Sequence, residues 1–167
     1  MRDDLPGTLK IVTVWLLLGA AIFLGFEGYR FEQRKTRFHA EGGVVEIRRG
    51  DDGHYHWPGT LNGRAVDFLV DTGATGVAIP ASLGRDLGLR PEGATVSSTA
   101  GGTVRGEIMR ADLTLDGGVR VDRLRVVALA GLDEHPLLGM DVLGRLRWQQ
   151  QNGVLRIDLR AAAGPDR

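Results

Sequence analysis

A chain of 167 residues carrying 21 basic and 21 acidic side chains has no net charge to recommend a nucleic acid as its partner. It contains no cysteine, which excludes disulfides, thiol catalysis and cysteine-ligated zinc but leaves the compartment open. Glycine at 25 residues and aromatics at 6% favour a turn-rich β domain over a helical bundle.

The first quarter reads differently from the rest. Ile11 to Phe26, IVTVWLLLGAAIFLGF, is an uncharged apolar run bounded by Lys10. A spanning helix wants about 20 residues and accepts roughly 17, so this run is short but workable, with Lys10 and Tyr29 as interface anchors. A cleaved signal peptide would need a small-x-small site, and Gly25-Phe26-Glu27-Gly28 is a poor one. A buried core helix would show a polar face, and this run has none. The expected organisation is a tail over 1–10, a transmembrane anchor over 11–28, a charged linker over 29–42, a folded domain over 43–160 and a flexible tail over 161–167. Arg2 and Lys10 precede the span, while Arg30, Arg34, Lys35 and Arg37 follow it. By the positive-inside count the margin slightly favours a cytoplasmic domain and does not decide the side.

The body reads as short strands separated by turn chemistry. Val44 to Ile47 opens the series. His54 to Trp57 and Arg64 to Val70 are the expected arms of a hairpin turning at Asn62-Gly63. In the second arm Val66, Phe68 and Val70 share one face, and Ala65, Asp67 and Leu69 the other. Gly76 to Ile79 is a strand closed by Pro80, and Ala81 to Leu87 a brief helix stopping at Gly88. Further strands are expected at 94–98, 103–109, 111–115 and 119–129, the last two joined through Asp116-Gly117-Gly118. Met140 to Leu146 reads as a second short helix. Arg147 to Gln150 and Val154 to Leu159 flank Asn152-Gly153, another hairpin signal. Trp148 is expected in the core or at an interface between chains.

Within this pattern Phe68-Leu69-Val70-Asp71-Thr72-Gly73-Ala74-Thr75 puts an acid at the end of an apolar strand. A carboxylate there needs compensating donors. Gly73 allows backbone amides to approach, and the Thr72 and Thr75 hydroxyls can supply hydrogen bonds. Two such carboxylates brought together cannot both ionise easily, so they share a proton. One can then activate water as general base while the other polarises a substrate carbonyl.

The stretch Phe68–Pro80 resembles the catalytic loop of clan AA aspartic proteases, in the Asp-Thr-Gly-Ala-Thr form found among single-domain retropepsins. Downstream, Leu137-Leu138-Gly139-Met140-Asp141-Val142-Leu143 resembles the element that threads behind that loop and leads into a short helix. The resemblance covers residues 43–160. It implies an all-β fold: a small closed β-barrel-like retropepsin domain with one or two short helices, here preceded by an N-terminal transmembrane helix. It implies that Asp71 is catalytic, that Thr72, Gly73, Ala74 and Thr75 form the active-site loop, and that Leu137, Leu138 and Gly139 support it. Asp141 is not the second acid. With one Asp-Thr-Gly in the chain, the family logic is a homodimer in which two copies of Asp71 meet across a two-fold axis, Thr72 bonding across it. A flap is expected at Ser97 to Arg105, with Ala100, Gly101, Gly102 and Thr103 at its tip. The partners implied are a second copy of the chain, a protein or peptide substrate and the lipid bilayer; no cofactor is implied. Bacterial members of this architecture tend to face the periplasm, which suggests an inner-membrane protein with a periplasmic domain.

Other signals carry less. His54 and His56 alternate on a candidate strand and could form a metal pair, but no third ligand at sensible spacing presents itself. They are read as surface histidines, with no metal expected. Gly101-Gly102 and Gly106 lack the setting and the Lys-Ser/Thr ending of a phosphate loop. No nucleophile elbow is present. The expected activity is therefore a membrane-anchored aspartic endopeptidase. The alternative is a catalytically silent, membrane-tethered β module that dimerises or binds peptide strands.

Overall fold

The computed structural model describes residues 11–24, 38–99, 102–132 and 135–160. The chain divides into two units, Met1–Thr36 and Arg37–Arg167.

In the first unit residues 11–24 form a helix, α1, whose large side chains, among them Trp15, Leu16, Phe23 and Leu24, are exposed. At 1.5 Å per residue it is about 21 Å long, against roughly 30 Å for a bilayer core. Among the described residues no helix is long and apolar enough to cross a membrane. Residues 25–28 of the expected anchor, 29–37 of the expected linker and both expected tails, 1–10 and 161–167, lie outside the described residues.

The second unit is built on strands. In chain order these are β1 (Phe38–Glu41), β2 (Val44–Arg48), β3 (His56–Leu61), β4 (Arg64–Val70) and β5 (Ala78–Pro80), then α2 (Ala81–Asp86). They continue with β6 (Gly93–Thr99), β7 (Gly102–Leu115), β8 (Val119–Leu129) and β9 (Leu137–Leu138), then α3 (Met140–Leu143), β10 (Arg147–Gln151) and β11 (Val154–Asp158). One sheet has the order β1-β2-β11-β10. The other runs β3-β4-β9-β5-β8-β7-β6, and an added β3–β7 pairing, Gly59 opposite Leu115 to Leu61 opposite Leu113, closes six of its strands into a barrel. Closure removes the free edges that an open sheet would present.

The two Asn-Gly pairs behave as their chemistry demands. Asn62 and Gly63 have φ of 49° and 81°, and Asn152 and Gly153 have 51° and 74°. Positive φ at both central residues defines the tight turn whose twist matches antiparallel strands. The first arm runs right up to its turn, His56–Leu61, and His54 falls outside it. The strands expected at 103–109 and 111–115 are one strand, β7, with an irregularity between Ala111 and Leu113 where it pairs with β8. The second short helix is one turn, since Gly144 follows Leu143 directly. Phe38–Glu41, placed in the linker by its charge, forms β1 and pairs with β2 from Phe38 opposite Ile47 to Glu41 opposite Val44. Backbone pairing, which charge composition does not report, recruits those residues to the sheet.

The core follows the period-two pattern. On β3 Trp57, Gly59 and Leu61 are buried while His56, Pro58 and Thr60 are half-exposed. Trp57 and Phe68 face each other across the β3–β4 ladder, both at 0% exposure, and pack in one cluster with Leu61, Ile79, Leu113, Leu115 and Leu138. The Trp57 Nε1–H donates to the Asp116 carbonyl at 2.8 Å, so the indole brings no unpaired donor into the core. For Trp148 the structure leaves the second of the two expected places, an interface between chains. The residue lies on β10, whose residues are all exposed, so within one chain it is not a core residue.

Trp57→Ala should therefore cost about 3–5 kcal/mol of stability by chemical denaturation, while Gln149→Ala should stay within about 0.5 kcal/mol.

Candidate active site

Asp71 comes directly after β4, whose last residues are clamped on both sides. Val70 N–H donates to the Tyr55 carbonyl at 2.9 Å, and Leu69 N–H to the Pro136 carbonyl at 2.8 Å. β9 lies parallel to β4, Leu69 opposite Leu137 and Val70 opposite Leu138, and antiparallel to β5 through Leu137 and Ala78. The short segment Leu137–Leu138 is thereby threaded between the strand entering the loop and the strand leaving it. Leu138 is fully buried, and its carbonyl accepts from Asp71 N–H at 3.0 Å.

The loop itself is tied to the residues just after β9. Ala74 N–H donates to the Asp71 carbonyl at 3.3 Å; Met140 N–H donates to the Ala74 carbonyl at 2.9 Å and Asp141 N–H to that of Thr75 at 3.1 Å. Gly139 has φ of −94° and so needs no special backbone freedom; its requirement is space. A Cβ there would strike the Gly76 backbone, whose carbonyl and Cα occupy that volume.

One oxygen of Asp71, Oδ1, accepts from the Gly73 N–H at 2.8 Å. Among the described residues it is thus a backbone amide, not the Thr72 or Thr75 hydroxyl, that reaches the carboxylate. Asp71 and Ala74 are half-buried and Thr72, Gly73 and Thr75 exposed, so the acid sits at an accessible surface of the single chain. Asp141 has a structural post. Its Oδ2 accepts from Val77 N–H at 3.3 Å, holding the far end of the loop, while its Oδ1 is buried without a partner among the described residues. The spacing Gly139-Met140-Asp141 was the available signal for this role, but only the fold shows what the side chain meets.

β6 and β7 form the hairpin expected to carry a flap. Its ladder runs from Gly93 opposite Ile108 to Thr99 opposite Gly102, and Ala100 and Gly101 of the expected flap tip lie outside the described residues. β8 accompanies β7 only from Gly106 onward. Residues 102–105 therefore run beyond the barrel with β6 alone beside them, and Val96 on that ribbon is exposed.

A second cluster forms on the β3–β4 hairpin. His56 Nε2 lies 2.7 Å from Asp52 Oδ2, and His56 Nδ1 lies 3.3 Å from Asp67 Oδ2. The Asp67 carboxylate raises the His56 pKa above the usual histidine value against the opposing effect of burial, and Asp52 adds to it. Burial pushes Asp52 up, but the hydrogen bonds from His56 and the His54 amide outweigh it and hold it below the usual carboxylate value. His54 is exposed, and its amide donates to Asp52 Oδ1 at 3.1 Å. His135, from the segment before β9, stacks edge-on against His56 with centroids 5.2 Å apart.

Residues 57–145 match the sequence profile of a family described as "gag-polyprotein putative aspartyl protease". This chain belongs to that family. It is a retropepsin-like aspartic peptidase. The crystal structure of a retropepsin-like aspartic protease from Rickettsia conorii superposes with a TM-score of 0.56 at 23% identity, covering 71% of this chain and 93% of that one. The EIAV protease in complex with the inhibitor HBY-793 gives a TM-score of 0.51 at 18% identity, covering 59% and 92%. At those identities the likeness is one of fold. An uncharacterized protein in the cobV 5' region of a Sinorhizobium species is 25% identical over 85% of this chain and 69% of its own length.

The packing of Gly139 on Gly76 generates a direct test. Gly139→Ala should destabilise by the upper end of the ~1–3 kcal/mol that overpacking costs, or more, because the atoms in the way are backbone. The thermal midpoint and peptidase activity should fall together.

Proposed function

We propose that this peptidase is a membrane-anchored endopeptidase that acts as a homodimer, with water activated between the two Asp71 carboxylates. The observation that carries this reading is the state of Asp71 in one chain. It is a half-exposed carboxylate at the end of a rigidly clamped strand, with one oxygen held by the Gly73 amide and no second Asp-Thr-Gly in the sequence. A single such acid has general-base capacity but no acid opposite it. Two copies across a two-fold axis supply both, since adjacent carboxylates retain one shared proton.

The chemistry rests on that proton. The ionised member takes a proton from water, which attacks the scissile carbonyl carbon. The protonated member donates its hydrogen bond to the carbonyl oxygen as negative charge grows there. In the resulting tetrahedral species the proton passes to the amide nitrogen, the C–N bond breaks, and the pair returns to its singly protonated state. The Gly73 amide keeps its carboxylate oriented throughout. In this reading Thr72, exposed beside Asp71, bonds across the axis. The β6–β7 ribbon, projecting past Gly106 with Ala100, Gly101, Gly102 and Thr103 at its end, serves as the flap that covers bound peptide and excludes water.

The anchor reading draws on α1, an exposed apolar helix over 11–24 in a run that stays uncharged to Phe26. Tethering would confine the chains to two dimensions and favour pairing. The catalytic unit is placed in the periplasm, with peptide or protein substrates there.

Asp71→Asn should lower peptide cleavage at mildly acid pH by ~10²–10⁴-fold or more. Added in ninefold excess to wild type under exchange conditions, it should also suppress the wild-type activity, because random pairing leaves about one wild-type chain in ten with a wild-type partner. Undiminished cleavage by the variant would refute the catalytic assignment, and activity carried by a species that sediments as a monomer would refute the dimer. A topology reporter fused after Asp158 should be active only in the periplasm. Cytoplasmic activity of the reporter would reverse the orientation.

A further inference from the structure

Three potential ligands meet at the His56 cluster, though they are remote in sequence. His56, Asp67 and His135 each bring one donor atom to within 4.8 Å of the others. His56 opens β3, Asp67 lies at the middle of β4, and His135 stands two residues before Leu137 of β9. All three are half-buried.

The nitrogen chemistry of His56 is the informative part. Its Nε2 is engaged by Asp52 at 2.7 Å, so in the neutral ring the proton belongs on Nε2 and Nδ1 carries a lone pair. That Nδ1 is buried and makes no hydrogen bond among the described residues, although the Asp67 carboxylate stands 3.3 Å away. A lone pair facing a carboxylate oxygen at that distance calls for positive charge between them. Two ligands about 2.1 Å from a tetrahedral zinc ion are ~3.4 Å apart, close to the observed separation. A proton would serve at most His56 and Asp67, whereas a metal ion also engages the His135 nitrogen. Asp52 then occupies the place of the carboxylate that orients a metal-bound histidine from behind.

We propose that His56 Nδ1, Asp67 and His135 form a binding site for a divalent first-row transition ion of the zinc class, with Asp52 as the positioning residue for His56. Two histidines and a carboxylate, with a fourth position left to water, suit zinc. The site is separate from the Asp71 chemistry and holds whether or not that reading does. Its effect is mechanical. It joins the β3–β4 hairpin to the segment entering β9, because Pro136, next to His135, is hydrogen-bonded to Leu69, two residues before Asp71.

The test uses the full chain in detergent, produced without a histidine tag and stripped of metal with a chelator. Titrated with cobalt(II), wild type should take up one equivalent, develop the visible absorption bands of a low-symmetry nitrogen–oxygen site, and show a higher thermal midpoint with either cobalt or zinc. His135→Ala and Asp67→Asn should lose the bands and at least ~10-fold in affinity, and Asp52→Asn should weaken binding by roughly 10-fold while keeping the bands. His39→Ala and His54→Ala should bind as wild type does. Circular dichroism of the metal-free variants checks that each is folded, and His135→Gln replaces His135→Ala if the latter is not. Binding by wild type that survives both His135→Gln and Asp67→Asn, or no uptake by wild type at a hundred micromolar ion, would overturn the site.

Discussion

Two glycine backbones in contact, Gly139 against Gly76, set the geometry on which the rest of this domain depends. Where they touch, β9 passes between β4 and β5, and a side chain larger than hydrogen on Gly139 would have to displace the Gly76 carbonyl. With that contact made, Leu138 can bury completely and present its carbonyl to the Asp71 amide, and Met140 and Asp141 can bond to Ala74 and Thr75. The Asp71 loop is therefore held from behind mainly by backbone groups, with the Asp141 carboxylate added at its far end. The same threading completes the strand order that closes the barrel, so stability of the fold and placement of Asp71 are one constraint.

From that support the domain becomes progressively less constrained outward. The β3–β4 hairpin is anchored by Trp57 and Phe68 in the core and by a tight Asn62-Gly63 turn at its end. The β6–β7 hairpin has no such anchor beyond Gly106, where β8 ceases to accompany it. The domain thus combines a firmly held acid at the end of β4 with a ribbon that only two strands support. Asp141 illustrates the economy of the loop. Its carboxylate holds the Val77 amide, with one oxygen buried and without a partner among the described residues.

Much of this was legible in the chain itself. The Asn-Gly pairs, the alternation in Val66, Phe68 and Val70, and the Gly88 helix stop are local signals, and each appears in the structure where the local chemistry put it. The failures share another cause. β1 lies in a charged stretch whose composition reads as linker, and only pairing with β2 makes it a strand. Residue type alone leaves Trp148 a place in the core or at an interface between chains, and only its position on β10, an outer strand with every residue exposed, removes the first. His56 has no third ligand at a sensible spacing along the chain, whereas His135 is delivered to it by the fold from far downstream.

What the sequence determined by itself was chemistry and local conformation: an Asp-Thr-Gly at a strand end, one copy of it, and a Leu-Leu-Gly downstream to complete the loop. Those come from residue type and short-range spacing, because turn geometry and strand periodicity are settled within a few residues. Tertiary structure alone decided which donor reaches Asp71, what Asp141 holds, and that a histidine ahead of β9 stands beside His56 and Asp67. Such encounters depend on which strands lie side by side. In this fold the order of the strands in space is not their order in the chain, so no window along the sequence contains them.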